Sequence, residues 1–304
     1  MIGTIATARD YVGRFAPSPT GRLHLGSLLG AVVSFLDARC HGGRWLVRIE
    51  DIDPPREVAG AAHDILTSLS AHGLIWDGEV QFQRHSLDQH EAAIRQLIDG
   101  GHAYYCQCSR KRLIADGHQH CYPGLCRDAG HTEGALRVRV DNMPIQIQDR
   151  WQAPLNQVLS ESPGDFIIRR RDNLIAYQLA VVIDDATSGI TDVVRGVDIY
   201  DSTPRQAWLQ QLLGLPQPRY AHFPVIVDEL GVKLSKQTGA AELENANALG
   251  NLRAVLAMIG LPTAELPRSA LPEQVLKWAV TQYHDQLLKS RANFISGANH
   301  APIG

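Results

Sequence analysis

No apolar run in this 304-residue chain approaches the roughly 20 residues needed to cross a bilayer. The opening residues, MIGTIATARD, lack the basic-then-apolar order of a secretory leader. Both absences lead to the expectation of a soluble, cytoplasmic protein with no membrane partner. Excess positive charge is missing too: 29 Lys and Arg stand against 32 Asp and Glu, a formal net charge of −3. Global charge therefore gives no support to nucleic-acid binding, although a local basic surface can still hold RNA. There is no internal repeat and no low-complexity segment, and Gly, Pro and charged residues sit at ordinary globular levels, so disorder is not expected. Cysteine is sparse, and four of the five fall between Cys106 and Cys126. In a chain with no export signal such a cluster points to metal rather than disulfides.

The length allows one large or two modest domains. Tyr11–Phe15 reads as a strand, Gly26–Arg39 as a helix and Arg44–Ile49 as a second strand, with a further helix from Pro55 closing on Gly73. Strand, helix, strand, helix is the pattern of a parallel α/β sheet. The regularity breaks over about 104–171, where the cysteines and short β-like runs (ALRVRV, FIIRR) indicate an insertion on that sheet. Apolar β-like runs return at AYQLAVVID and ITDVVRG. A helix at Pro204–Leu213, the run HFPVIVD, a polar loop GVKLSKQTGA and two tail helices between Asn251 and about Leu288 follow. The expected division is 1–103, first catalytic half; 104–172, insertion; 173–240, second half; and 241–304, helical tail.

The turn after the first strand, Arg14–Ser27, reads RFAPSPTGRLHLGS. A glycine-rich turn between strand and helix presents backbone N–H groups and the positive helix end to an anion. Gly21 and Gly26 allow close approach, Pro17 and Pro19 stiffen the loop, and His24 and Ser27 can donate to a phosphate oxygen. A tight turn with a surface histidine is the plainer alternative. The cysteines, Cys106 and Cys108 with Cys121 and Cys126 after a gap, can supply a tetrahedral zinc site, with His118 and His120 also near. Coordination chemistry alone favours thiolates.

The run RFAPSPTGRLHLG resembles the catalytic core of the class I glutamyl-tRNA synthetases, whose ATP-binding signature is HIGH. KLSKQ at Lys233–Gln237 resembles that family's second ATP loop, KMSKS, with Gln237 in place of the last serine. The resemblance implies an α/β, Rossmann-like parallel sheet split by a zinc-containing insertion, with a short helical C-terminal appendage. It implies a catalytic set of His24, Ser27 and Lys236, with ATP held by Pro17, His24, Gly26, Ser27, Lys233 and Lys236, and Mg²⁺ arriving with the ATP. LVRIEDIDPPRE and LIAYQLAVVIDDATSGITDVVRG match further family blocks. They imply that Glu50 meets the ammonium of glutamate, and that Arg14, Ser18, Tyr177 and Arg195 line the same pocket. That set suits the ligand, since carboxylates want guanidinium forks and an ammonium wants a carboxylate; which arginine takes which carboxylate stays open.

Three features point to one branch of the family, the enzymes that attach glutamate to queuosine in tRNA(Asp). Ser27 stands where the second HIGH histidine is usual, Val197 and Ile199 replace an acid and a histidine in VVRGVDI, and only 67 residues follow Gln237. The resemblance then implies structural zinc, one per chain, on Cys106, Cys108, Tyr122 and Cys126, with Cys121 as the rival fourth ligand. It also implies tRNA-independent activation of glutamate, transfer to an anticodon stem-loop carrying queuosine, and a monomer. Arg137, Arg139, Arg169, Arg170 and Arg171 are candidates for the RNA path. The competing readings are a shortened ordinary glutamyl-tRNA synthetase, a non-catalytic paralogue sensing ATP or glutamate, and an adenylating enzyme serving a non-RNA carrier.

Overall fold

The computed structural model describes residues 10–227, 241–267, 269–284, 287–288 and 294–295. The KLSKQ loop, with Lys233, Lys236 and Gln237, lies outside the described residues.

Two parallel units carry the core. In the first, β1 (Val12–Phe15) leads through α1 (Leu25–Cys40) to β2 (Arg44–Ile49), which pairs parallel with β1. The chain continues through α2 (Ala61–Ala71) to β3 (Gln81–Phe82), parallel to β2, and then α3 (Leu87–Asp99). The insertion contains β4 (Ala103–Cys106), α4 (Arg110–Ala115), β5 (Ala135–Val138), β6 (Pro144–Ile147), β7 (Leu155–Val158) and β8 (Phe166–Arg169). Here β4, β5 and β8 form one antiparallel sheet, and β6 with β7 an antiparallel pair. The second unit follows: α5 (Tyr177–Thr187), β9 (Asp192–Gly196), α6 (Thr203–Leu213) and β10 (Arg219–Phe223), with β10 parallel to β9. Last come β11 (Ile226–Val227), α7 (Ala248–Met258), α8 (Pro272–Gln282) and β12 (Phe294–Ile295), which pairs with β11.

The two units meet at β1. Thr191 N–H donates to Val12 O (2.9 Å) and Val12 N–H to Thr191 Oγ1 (2.9 Å), so β9 lies along β1 on the side away from β2. The tail is packed into the first unit: Leu252, Val255, Val275 and Ala279 share one core with Leu28, Val32 and Leu36 of α1. Among the described residues no helix is long and apolar enough to cross a membrane.

Two local readings are corrected. AYQLAVVID, expected as β-like, is helix α5. Its β-branched residues are buried because α3, α6 and the insertion sheet cover it on several sides, and a helix apolar all round shows no helical period. The helix expected from Pro55 begins only at Ala61. Pro54–Arg56 is one 3₁₀ turn, and Gly60, at φ 80°, holds a left-handed conformation before the true helix start.

One buried carboxylate ties the parts together. Asp37 on α1 is 0% exposed. It accepts a fork from Arg150, which follows β6 (2.7 and 2.8 Å), the hydroxyl of Tyr11 beside β1, and that of Tyr283 after α8 (3.5 Å). Asp37→Ala removes the buried acceptor shared by Arg150, Tyr11 and Tyr283, and urea unfolding should show a loss of about 3–5 kcal/mol. A loss below about 1 kcal/mol would mean that this cluster does not hold the parts together.

Candidate active site

The carboxyl ends of β1, β2 and β9 surround one cleft of about 530 Å³. The chain leaves β1 for β2 on one side, and β9 lies on the other. That is a topological switch point, where α/β sheets leave a crevice for ligands. Arg14, Pro17, Ser18, His24, Gly26, Ser27, Glu50, Tyr177 and Arg195 all line it. Every expected ATP or glutamate residue among the described ones is therefore in the same place, although 181 positions separate Arg14 from Arg195.

The first loop is pinned from beneath. Glu50 N–H donates to Pro17 O (3.0 Å) and Val58 N–H to Pro19 O (2.9 Å), while Gly21 takes φ 122°. His24 serves as N-cap of α1: its Nδ1 accepts from Gly26 N–H (3.1 Å) and Ser27 N–H (3.4 Å). These two amides, expected to face an anion, are thus turned to the histidine. Accepting at Nδ1 leaves the ring proton on Nε2, so His24 faces the cleft as a neutral donor.

Strand alternation sets the floor. Arg14 is opposite Leu46, and Leu46, Arg48 and Glu50 share one face of the sheet by the period of two. Arg14 and Arg48 are 4% and 1% exposed. Both reach Asp185 of α5, Arg14 through Nε at 3.1 Å and Arg48 through Nη1 at 2.8 Å. Arg48 Nη2 lies 3.5 Å from Glu50, and Nε 3.9 Å from Asp184, which also accepts from Gln83 (2.7 Å) and meets His90 Nε2 (2.7 Å). Two guanidiniums thus face three carboxylates, a buried excess of one negative charge when His90 is neutral. Burial pushes the Glu50 carboxyl up, against the pull of Arg48 and Arg14. Asp185 goes the other way: burial would raise it, but the two guanidiniums bring it below the usual carboxylate range. The terminal nitrogens of Arg14 make no hydrogen bond to any described residue, and Arg14 lines the cleft. Arrangement and charge suit a ligand that brings an ammonium to Glu50 and a carboxylate to Arg14.

Across the cleft, Arg195 of β9 is 6% exposed and held by neutral groups: His222 (2.8 Å), Gln206 (2.7 Å), Thr203 (2.8 Å) and the hydroxyl of Tyr177 (3.5 Å). Asp198 and Ile199, just beyond β9, line the rim with Arg56. The sequence reading missed Arg48, Asp184, Asp185 and His222. Two adjacent aspartates ending an apolar helix demand cationic partners, a clue that reading AYQLAVVID as β-like hides.

The cysteine cluster is a separate centre in the insertion. Sγ atoms of Cys106, Cys108 and Cys126 lie within 4.8 Å of one another. The Tyr122 hydroxyl is 3.2 Å from Cys106 Sγ and 3.7 Å from Cys108 Sγ, whereas Cys121 Sγ turns to Ser160 O at 3.4 Å. Gly164, at φ 77°, lets Tyr122 close in, since a Cβ there would lie 2.1 Å from Tyr122 O. Burial pushes the Cys126 thiol up, but hydrogen bonds, above all from the Tyr122 hydroxyl, bring it down to about 6. Burial raises the thiols of Cys108 and Cys121 and the Tyr122 phenol. His118 and His120 are not in this cluster. The three thiols can hold a metal ion.

A model of the catalytic domain of tRNA synthetases class I (E and Q) matches residues 11–264. The chain therefore belongs to that family: it is an aminoacyl-tRNA synthetase-type ligase with the class I α/β fold. Within the family it is similar to the glutamyl-Q tRNA(Asp) synthetase of Pseudomonas aeruginosa PAO1, 51% identical over 277 residues, 90% of this chain and 94% of that protein. The glutamyl-Q tRNA(Asp) synthetase of Pseudomonas syringae pv. tomato DC3000 is 47% identical over 280 residues, 91% of this chain and 94% of that one. Among solved structures, a glutamate tRNA ligase from Elizabethkingia meningosepticum, in complex with its amino acid, superposes with a TM-score of 0.77 at 21% identity. The match covers 96% of this chain and 67% of that chain, and it speaks for the fold.

Because the folded protein raises the Glu50 pKa, ionised Glu50 costs stability. The cost is absent below the unfolded value of about 4.3 and grows as pH rises through the folded one. Glu50→Gln should therefore melt higher than wild type at pH 7.5, by about 2–4 °C for each ~1 kcal/mol relieved, with the gap closing towards pH 4.5. A lower melting temperature at pH 7.5 would contradict the charge excess.

Proposed function

We propose that the chain activates glutamate with ATP, in the absence of tRNA, and transfers it to the cyclopentenediol of queuosine at the wobble position of tRNA(Asp). In this reading it works in the cytoplasm as a monomer. The observation that carries the reading is the charge pattern of the cleft: a buried negative excess at Glu50, flanked by the Arg14 and Arg195 guanidiniums, beside the His24 loop. The likeness to glutamyl-Q tRNA(Asp) synthetases over 90% of the chain supports the substrate and the acceptor.

The chemistry is positioning and charge stabilisation. Glu50 takes the ammonium of glutamate, and the two arginines take its carboxylates, with Tyr177 and Ser18 at the side. An α-carboxylate oxygen attacks the α-phosphorus of ATP. The bond to the bridging oxygen breaks, and pyrophosphate leaves with the electron pair. His24 donates from Nε2 to the phosphates, Pro17, Gly26 and Ser27 shape the loop around them, and Lys233 and Lys236 follow the leaving charge. Mg²⁺ arriving with the ATP would offset charge on the phosphates as pyrophosphate forms. A diol hydroxyl then attacks the glutamyl carbonyl, AMP leaves, and the hydroxyl proton is lost as the ester forms.

For the RNA, Arg137 is the weaker candidate, since it is 8% exposed and stacks its guanidinium 3.8 Å over the Tyr122 ring. Arg139 donates to Arg127 O and Asp128. Arg170 and Arg171 are exposed. Arg171 lines a second cleft of about 590 Å³ with Tyr105, Gln107, Glu133, Arg169 and Asn173; its aromatic and amide groups suit unpaired nucleotides, and Arg171 is its exposed cation, since Arg169 is paired with Glu91 (3.2 Å). Asp53 pairs with the exposed Arg170 (3.5 Å) and with Arg56 (2.6 Å), which lines the first cleft.

Zinc fits Cys106, Cys108, Tyr122 and Cys126. Four protein ligands leave no open position, so the ion would act as a structural cross-link.

Labelled glutamate should be transferred to tRNA(Asp) that carries queuosine, and not to tRNA(Asp) with guanosine at that position or to tRNA(Glu). Charging of tRNA(Glu) would overturn the assignment. The purified protein should hold about one zinc per chain, lost on Cys106→Ser and kept on Cys121→Ser; loss on Cys121→Ser with retention on Tyr122→Phe would move the fourth ligand to Cys121.

A further inference from the structure

We infer that Asp149 and His222 are positioning residues that fix the Arg195 guanidinium for its carboxylate ligand, an inference that rests on the glutamate-binding role proposed for Arg195.

Arg195 and His222 are directly paired across β9 and β10, so their side chains share a face of the sheet. Asp149 arrives from the insertion. Its segment runs beside β10 as a parallel bridge to Tyr220, and Arg150 N–H donates to Tyr220 O (3.0 Å). The side chains of His222 and Asp149 are both 0% exposed.

The hydrogen bonds admit one protonation pattern. Asp149 Oδ1 accepts three backbone amides, Trp151 (2.9 Å), Gln152 (2.9 Å) and His222 (3.2 Å). Its Oδ2 lies 2.6 Å from His222 Nδ1. A carboxylate meeting only donors stays ionised, and burial is outweighed by these bonds, which hold its pKa low. His222 must then carry its proton on Nδ1. That leaves Nε2 as a bare acceptor for Arg195 Nε–H at 2.8 Å. Burial, and the Arg195 charge beside it, keep the imidazole neutral at pH values where a free histidine would begin to charge. The Arg195 charge is answered by Asp149 through a neutral ring, not by direct contact. A carboxylate touching Arg195 would compete with the ligand, whereas a neutral acceptor orients the fork and leaves its charge for use. Gln206 and Thr203 repeat the device on the other two nitrogens. The contrast with Arg14, which touches Asp185 directly, assigns different work to the two arginines.

Asp149→Asn tests the tautomer. The amide oxygen can keep the three backbone donors, but its NH₂ then meets His222 Nδ1 and forces the ring proton onto Nε2, against Arg195. We expect the KM for glutamate in ATP–pyrophosphate exchange to rise about 10- to 100-fold, with the KM for ATP within about twofold. His222→Leu should behave likewise. His222→Gln, which can return an oxygen near the Nε2 position, should recover most of the loss, a rescue that a purely structural role would not give. ¹⁵N NMR of the histidine rings should find His222 protonated at Nδ1 in the wild type and at Nε2 in Asp149→Asn. Wild-type His222 protonated at Nε2, equal KM changes for glutamate and ATP, or no gain from Gln over Leu would each overturn the inference. If the wild type shows no glutamate-dependent exchange, the functional reading fails, and the NMR tautomer still decides whether the relay exists.

Discussion

Five charged side chains that cannot neutralise one another lie beneath the cleft: Arg14 and Arg48 against Glu50, Asp184 and Asp185. Taking such a set out of water costs several kcal/mol per ion unless geometry returns it, and here the geometry returns all but one negative charge. The fold around them serves that arrangement. Alternation along β1 and β2 brings three of the groups to one face, and α5, sealed between α3 and α6, brings the two aspartates down onto them. A site left one charge short of balance is ready for a cation, and a cation that also carries acids finds Arg14 and Arg195 on either side.

The two halves of the cleft handle charge differently. On the β1–β2 side, guanidiniums are locked to carboxylates and the excess sits on Glu50. On the β9–β10 side, Arg195 is surrounded by neutral acceptors and keeps its positive charge. The insertion contributes to the second of these sides, where Asp149 reaches back to His222, while the cysteine cluster stands apart at the end of β4. It is therefore part of the site's framework as well as an attachment to it.

The turn of the first loop was legible because its chemistry is local, prolines, glycines and a histidine within fourteen residues; that the His24 ring caps α1 with its own Nδ1 was not. Glu50, Tyr177 and Arg195 could be placed only through resemblance, since each taken alone is an ordinary strand-end or apolar-face residue. Arg48, Asp184, Asp185, Asp149 and His222 were not legible. Their long-range partners lie between 27 and 171 positions away, and α5, rich in Val and Ile, carries the composition of a strand. Thiol chemistry alone leaves the fourth metal-ligand position open; in the fold the Tyr122 hydroxyl lies 3.2 Å from Cys106 Sγ, while Cys121 Sγ turns to Ser160 O, which is what supports the Tyr122 proposal.

The charge account makes a demand on the ligand's amino group that no general feature of the fold would make. Calorimetric titration of the protein with L-glutamate and with glutarate, which has both carboxylates and no ammonium, separates the two. Binding of glutamate with no detectable binding of glutarate is the result the account predicts. Glutarate binding as tightly as glutamate would contradict it.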